Sequence, residues 1–167
     1  MITIVVGVTT FVIPWQIRQA ARQFPPIHDI TTDIQDPPRF VRVLPLRKDA
    51  RNSVDYTDTE TPVRQRATYP DILPLDLTIE PAAAFERAER AARSLEWQIV
   101  AVKTVEGRIE ATATTFWFGF KDDIVVRIRP SAAGCRVDIR SVSRVGRGDA
   151  GANARRVRDF LYKMRGD

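Results

Sequence analysis

The chain has 167 residues, the length of one domain, and its 26 basic and 21 acidic side chains leave a formal charge of +5. Charged residues at 28% and hydrophobic residues at 44% match soluble globular proteins and exclude a disordered, collagen-like or polytopic membrane chain. One cysteine, Cys135, and one histidine, His28, exclude an internal disulfide and a Cys/His zinc cluster.

Met1 to Gln16 carry no charged side chain, and Ile2, Ile4, Val5, Val6, Val8, Phe11, Val12, Ile13 and Trp15 make the stretch strongly apolar. As a helix this run reaches roughly 25 Å, just short of the ~30 Å hydrocarbon core. No basic residue precedes it and no small-x-small site follows, so it does not read as a cleavable signal peptide. Trp15 followed by Arg18 and Arg22 reads instead as an interfacial anchor with snorkelling cations. Residues 1–24 are therefore expected to be a membrane-directed segment, a transmembrane helix of borderline length. Two cations do not decide which side of the bilayer holds the rest.

Nine of the 11 prolines fall between Pro25 and Pro81. No helical or alternating period lasts there, which predicts an extended, turn-rich segment over 25–72 lying across the surface of the following domain. Leu73 to Ile79 alternates as a first strand. Pro81 suits a first helical turn, and the Phe85, Ala88, Ala92, Leu95 stripe predicts an amphipathic helix over 81–95. Its Glu86/Arg90 and Glu89/Arg93 pairs contribute only about 0.3 kcal/mol each.

Four period-2 segments follow, Trp97 to Val105, Arg108 to Phe118, Asp123 to Arg129 and Arg136 to Ser143, and read as an antiparallel meander. Ile124, Val126 and Ile128 form an apolar face, and Val125, Arg127 and Arg129 a face expected to be wet. Ala150, Ala154, Val157, Leu161 and Met164 stripe a last helix from Asp149 to Arg165, with Asp149 as its N-cap. The order β-α-β-β-β-β-α over 73–167 predicts an α+β domain with a helix-grip-like antiparallel sheet. A split ferredoxin-like layout would want a second crossover helix earlier in the strand series.

From Lys121 onward 12 basic face 6 acidic residues, so the whole positive surplus is C-terminal. Such a field attracts nucleic acid, anionic lipid or an acidic partner, and serves equally as a solvated face. Gly146-Arg147-Gly148-Asp149-Ala150-Gly151 matches G-x-G-x-x-G, yet the chain runs only 16 residues beyond Gly151, too few for the parallel strand and distant acid of a dinucleotide site. It reads as a glycine-rich turn into a helix. His28-Asp29 with Asp33 and Asp36 resembles the start of a metal or general-base cluster, against which stands a capping-turn reading of Asp29, Thr31, Thr32 and Asp33. Asp122-Asp123 reads as a hairpin pair solvating a turn, and Cys135 as a packed, inert thiol. Phe116-Trp117-Phe118-Gly119-Phe120, near Arg127, Arg129 and Arg140, is either a base-stacking surface or core packing.

Four stretches, PPIHDITTDIQDPPRF (25–40), TYPDILPL (68–75), GRIEATATTFWFGFKDDIVVRIRP (107–130) and RSVSRVGRGDAGANARRVRDFL (140–161), together resemble the bacterial and plastid family known as domain of unknown function 1499. The resemblance covers Pro25 to the C-terminus and brings no reaction and no cofactor with it. Family members often carry N-terminal membrane segments, which implies a bacterial inner-membrane location. The resemblance carries His28, Asp29, Thr32 and Asp33, then Asp122 and Asp123, then Arg140, Ser143, Arg144, Asp149, Asn153 and Arg156 as candidate ligand-binding residues. Co-occurrence of the motifs suggests that the Arg140 to Asn153 turn lies beside Asp122-Asp123 with the His28 segment closing over it, Arg144 and Arg156 neutralising Asp29, Asp33 or Asp122.

The leading expectation is a membrane-tethered, non-enzymatic module that binds an envelope protein or an anionic ligand. The alternatives are a hydrolase or metal-dependent enzyme built on His28, Asp29, Asp33 and Arg144, and nucleic-acid binding through the C-terminal arginines, which is the least favoured.

Overall fold

Alternating β-branched and charged residues in the C-terminal half build a long antiparallel ladder, around which a computed structural model of the protein places the rest of the chain. It describes residues 25–115 and 119–166, so the membrane reading of 1–24 and the aromatic run Phe116 to Phe118 lie outside the described residues. The strands are β1 (Asp29–Thr31), β2 (Leu75–Leu77), β3 (Gln98–Lys103), β4 (Arg108–Thr114), β5 (Lys121–Ser131) and β6 (Gly134–Ser143). The helices are α1 (Glu60–Thr68), α2 (Pro81–Ser94) and α3 (Ala152–Arg165). One six-stranded sheet runs β1-β6-β5-β4-β3, with β2 pairing the other end of β6, and every pairing is antiparallel. The fold class is α+β.

The apolar stripes of α2 and α3 cover one face of this sheet. Ala84, Phe85, Ala88 and Ala92 of α2 and Ala154, Val157, Phe160 and Leu161 of α3 bury against Ile109, Ile124, Val126, Val137 and Ile139. Trp97 stacks on Phe160 with ring centroids 5.5 Å apart. Ile27, Ile30, Tyr69 and Ile72 join the same core, so the proline-rich segment shares the interior of the domain. Among the described residues no helix is long and apolar enough to cross a membrane.

The face expected to be wet is covered instead. Residues 32–57 run over it as a strap, and Phe40 and Val43 of the strap bury with Val125 and Val142, Val54 and Val100 packing alongside. The strap explains why charged residues alternate along β4, β5 and β6 with most of them shielded from bulk water, Arg129 and Arg136 at its edge remaining partly exposed. A short 3₁₀ turn at Leu44–Arg47 interrupts it.

The proline-rich segment also holds α1, which periodicity did not reveal. Only Gln65 of α1 is buried, so there is no apolar stripe to read. Its signal is local: the Asp58 carboxylate accepts the Glu60 amide (2.8 Å) and the Thr61 hydroxyl (2.5 Å) at the helix start. At the far end, α3 begins at Ala152 and not at Asp149, because Ala150 and Gly151 both take positive φ (51° and 79°). Asp149 still does capping work from outside the helix, accepting the Gly151 and Asn153 amides at 2.9 and 2.5 Å.

Candidate functional site

The sheet register decides where each candidate side chain goes. Asp122 pairs with Ser143 and Asp123 with Val142, so the two aspartates are adjacent strand residues on opposite faces. Neither sits in the hairpin turn where the sequence reading put it; both lie in β5 and are buried. The candidates consequently divide into two sets, back to back across the sheet.

On the strap face, Arg140 of β6 holds Asp29 of β1 in a bidentate pair, Nε to Oδ1 at 3.0 Å and Nη2 to Oδ2 at 2.6 Å. The same guanidinium donates to the Pro38 carbonyl (3.3 Å) and the Val54 carbonyl (2.7 Å), and lies over the Phe40 and Tyr56 rings at 5.4 and 5.1 Å. One side chain thus grips the strap at two points in its length.

One row along, Asp123 accepts the Thr112 hydroxyl (2.7 Å), Arg144 Nε (2.9 Å) and Arg144 Nη2 (2.8 Å), and pairs with Arg47 of the strap. Arg144 also donates to the Leu46 carbonyl at 2.8 Å. Glu110, fully buried, accepts three consecutive strap amides, Val41, Arg42 and Val43, on one carboxylate oxygen at 3.0, 2.8 and 2.9 Å.

Toward the opposite end of the sheet Asp33, Asp36 and Asp138 interleave with Arg127, Arg129 and Arg136 at 3.0 to 3.4 Å. Desolvation pushes the Asp33 carboxyl up, but the Asp36 and Gln35 amides and the Arg136 and Arg127 charges outweigh it and hold it below the usual carboxylate value. Thr32 closes the strap onto β6, its amide donating to the Ile139 carbonyl (2.9 Å) and its hydroxyl accepting the Ile139 amide (3.0 Å).

On the helix face, Arg156 of α3 pairs with Asp122 at 2.7 Å and donates to Ser141 Oγ (3.0 Å) and Asn153 Oδ1 (2.5 Å). The Asn153 amide donates in turn to Ser143 Oγ (2.9 Å) and the His28 carbonyl (3.1 Å). Burial raises the Asp149 carboxyl above its ordinary value, against the Asn153 and Gly151 amides. Arg156 goes to Asp122, one of the three carboxylates expected for the two arginines, whereas Arg144 goes to Asp123 and not to Asp29, Asp33 or Asp122.

His28 joins both sets through its backbone, its carbonyl accepting the Ser143 amide at 2.9 Å. Its side chain lies on the rim of a cleft of about 270 Å³ with Asp29, Arg51, Asn52, Asp55 and Tyr56, and makes no hydrogen bond among the described residues. Tyr56 separates this cleft from a larger one of about 530 Å³ lined by Arg39, Phe40, Val54 and Arg140. The Tyr56 hydroxyl is buried without a hydrogen-bond partner among the described residues, and burial pushes its pKa well above the ordinary phenol value.

Cys135 is buried, and burial raises its thiol. No group of three or more His, Cys, Asp or Glu side chains is placed to hold a metal ion among the described residues. Sequence reasoning missed Arg47, Gln65 and Glu110, whose partners are backbone groups of residues 31 to 52 or a strand carboxylate. It also left Asp138, with its three arginine partners, out of the candidates. The one legible signal was the alternation of Arg127, Arg129, Arg136 and Asp138 with apolar residues, which requires a charged covering layer if both faces are buried.

A family model described as a protein of unknown function, DUF1499, matches residues 29–164, nearly the whole described fold. No curated protein matches the chain.

Proposed function

We propose, for a chain that belongs to the DUF1499 family, a non-catalytic binding module held at the bacterial inner membrane by its apolar N-terminal segment and working with an envelope protein partner. One observation carries the non-catalytic part. Apart from His28 and Asp149, the candidate aspartates and arginines are engaged in ion pairs: Asp29 with Arg140, Asp122 with Arg156, Asp123 with Arg144, and Asp33 with Arg127, Arg129 and Arg136. Paired and buried in this way, they hold the strap and α3 to the sheet, which is a structural task. The same pairing accounts for most of the C-terminal arginine surplus and removes the support for a nucleic-acid surface.

The membrane part is supported by the uncharged run from Met1 to Gln16 and by Trp15, Arg18 and Arg22 behind it. Fractionation of cells expressing the gene, with protease added to intact spheroplasts, tests it: the protein is expected in the membrane fraction, and recovery in the soluble fraction overturns the tether. Digestion in spheroplasts places the domain outside the cytoplasm, and protection places it inside.

A hydrolytic reading keeps one supporting observation, the unengaged His28 imidazole on its cleft beside Asp29. Under the binding-module reading His28→Ala leaves folding and partner capture intact, while Arg144→Ala lowers stability because Asp123 loses two of its donors and the Leu46 carbonyl loses its guanidinium. Turnover of any ester or phosphoester substrate that disappears in the stable His28→Ala variant would establish the enzyme instead.

A further inference from the structure

Four parts of the chain meet at one end of the sheet. Arg144, just beyond β6, donates its backbone N–H to the Lys121 carbonyl at the start of β5 (3.0 Å) and accepts the Arg51 and Asn52 amides (2.9 and 3.1 Å). Its guanidinium reaches the Leu46 carbonyl at 2.8 Å. Close by in sequence, Gly148 lies against the first described residues: a Cβ there would stand 3.1 Å from Pro26 Cα. Pro25 and Pro26 lead back to residues 1–24, so the apolar segment joins the fold at this end. The β3–β4 turn with Val105 sits at the other, since β4 starts at Arg108 there and runs toward Lys121.

The surface at this end has two properties. Leu46 and Phe120 are 53% and 52% exposed. Lys48, Arg51, Lys121 and Arg147 are exposed and form no ion pair among the described residues, in contrast to the arginines of β5 and β6, while Asp49 and, on the cleft that Arg51 also lines, Asp55 and Asp58 are the exposed acids nearby. Exposed apolar side chains ringed by unneutralised cations are the composition that holds protein surfaces to anionic bilayers.

Chain length adds a constraint. From Arg22 to Pro25 three peptide units span at most about 11 Å. If Arg22 sits at the headgroups, as the tether reading has it, Pro25 lies no farther from the lipid charge than about one Debye length, which is roughly 8–10 Å at physiological salt. Confinement supplies the high effective concentration that makes a few weak contacts sufficient.

We infer that this end of the sheet is a membrane-contact face, with Leu46 and Phe120 seated at headgroup depth in an anionic bilayer and Lys48, Arg51, Lys121 and Arg147 facing lipid phosphates. The inference rests on the tether reading and fixes the orientation of the tethered domain: the strap-covered face stands upright from the membrane and the Val105 end points away.

The test uses the full chain, with Leu46→Cys or Val105→Cys carrying an environment-sensitive fluorophore. Buried Cys135 is the slower-reacting thiol. The labelled chains are reconstituted into vesicles of phosphatidylglycerol with phosphatidylcholine, or of phosphatidylcholine alone. The expected result is co-flotation with both, a blue-shifted and lipid-quenchable label at position 46 in the anionic vesicles only, and a water-exposed label at position 105 throughout. Replacing Lys48, Arg51, Lys121 and Arg147 by Gln leaves the melting temperature unchanged and returns the position-46 label to water.

Co-flotation with a water-exposed position-46 label in both lipids overturns the contact face and leaves the tether standing. Equal burial in both lipids overturns the anionic assignment. A shift that grows with protein concentration in the absence of lipid means that a second copy covers this end, and also overturns the inference. Failure to float overturns the tether and the contact face together.

Discussion

Arg140→Met removes one guanidinium and keeps most of its aliphatic volume. It deletes both hydrogen bonds to Asp29, those to the Pro38 and Val54 carbonyls, and the cation–π contacts to Phe40 and Tyr56. Asp29 is only 6% exposed, so its charge stays behind without a partner. Breaking a buried pair from one side costs about 3–5 kcal/mol, a large part of the ~5–15 kcal/mol that holds a domain together. At about 2–4 °C per kcal/mol for a domain of this size, the melting temperature falls by about 6–20 °C. Urea unfolding followed by far-UV circular dichroism measures the loss, and limited proteolysis is expected to cut first between Gln35 and Tyr56, the part of the strap that Arg140 grips. Adding Asp29→Asn should recover at least about 1.5 kcal/mol, because the orphaned charge goes with it. A loss below about 1 kcal/mol, the range of a solvated surface pair, or a double variant no more stable than the single one, would refute the reasoning.

Asp33→Asn tests the second cluster through pH. The Asp33 carboxyl lies below its ordinary value of 3.8 in the fold, so it contributes stability that is present above 3.8 and lost as pH falls through the folded value. The variant should therefore be less stable than the parent at neutral pH and converge with it in acid, and parallel pH profiles would contradict the assignment. Gln65→Ala leaves both the Thr31 amide and carbonyl without the partners that Gln65 supplies at 3.0 and 2.6 Å, which costs about 2 kcal/mol and speeds hydrogen exchange at Thr31; unchanged exchange would count against it. Gly107→Ala is expected to cost more than about 2 kcal/mol in a thermal melt, since φ is +59° and the new Cβ would stand 2.2 Å from the Ile128 carbonyl oxygen; a melting temperature within a degree of the parent would be the contrary result.

Periodicity was enough for the elements that bury a stripe. The helix at Pro81–Ser94 and the strands from Gln98 to Ser143 stand close to where alternation and the 3.6-residue repeat put them, because their apolar residues meet a core. Residues 25–72 were harder, since there the chain is held by side chains far away in sequence. Glu110 binds the Val41 to Val43 amides across 67 to 69 residues, and no local pattern announces such a contact. Helix α1 was illegible for the related reason that it turns only Gln65 inward. The candidate residues were legible as polar positions but not as two sets. Separating Asp122 from Asp123 needs the strand to begin before both of them: in β5 the alternation of Ile124 and Val125 extends back and turns the two carboxylates to opposite faces, whereas a hairpin pair has no such assignment.

The Asp29–Arg140 clamp also orders events in time. Its partners are 111 residues apart, and β1 pairs with the last strand of the sheet. During synthesis at about 5–20 residues per second, Asp29 and the strap wait roughly 6–20 s for β6 to leave the ribosome. The covering of the arginine face is therefore among the last steps of folding.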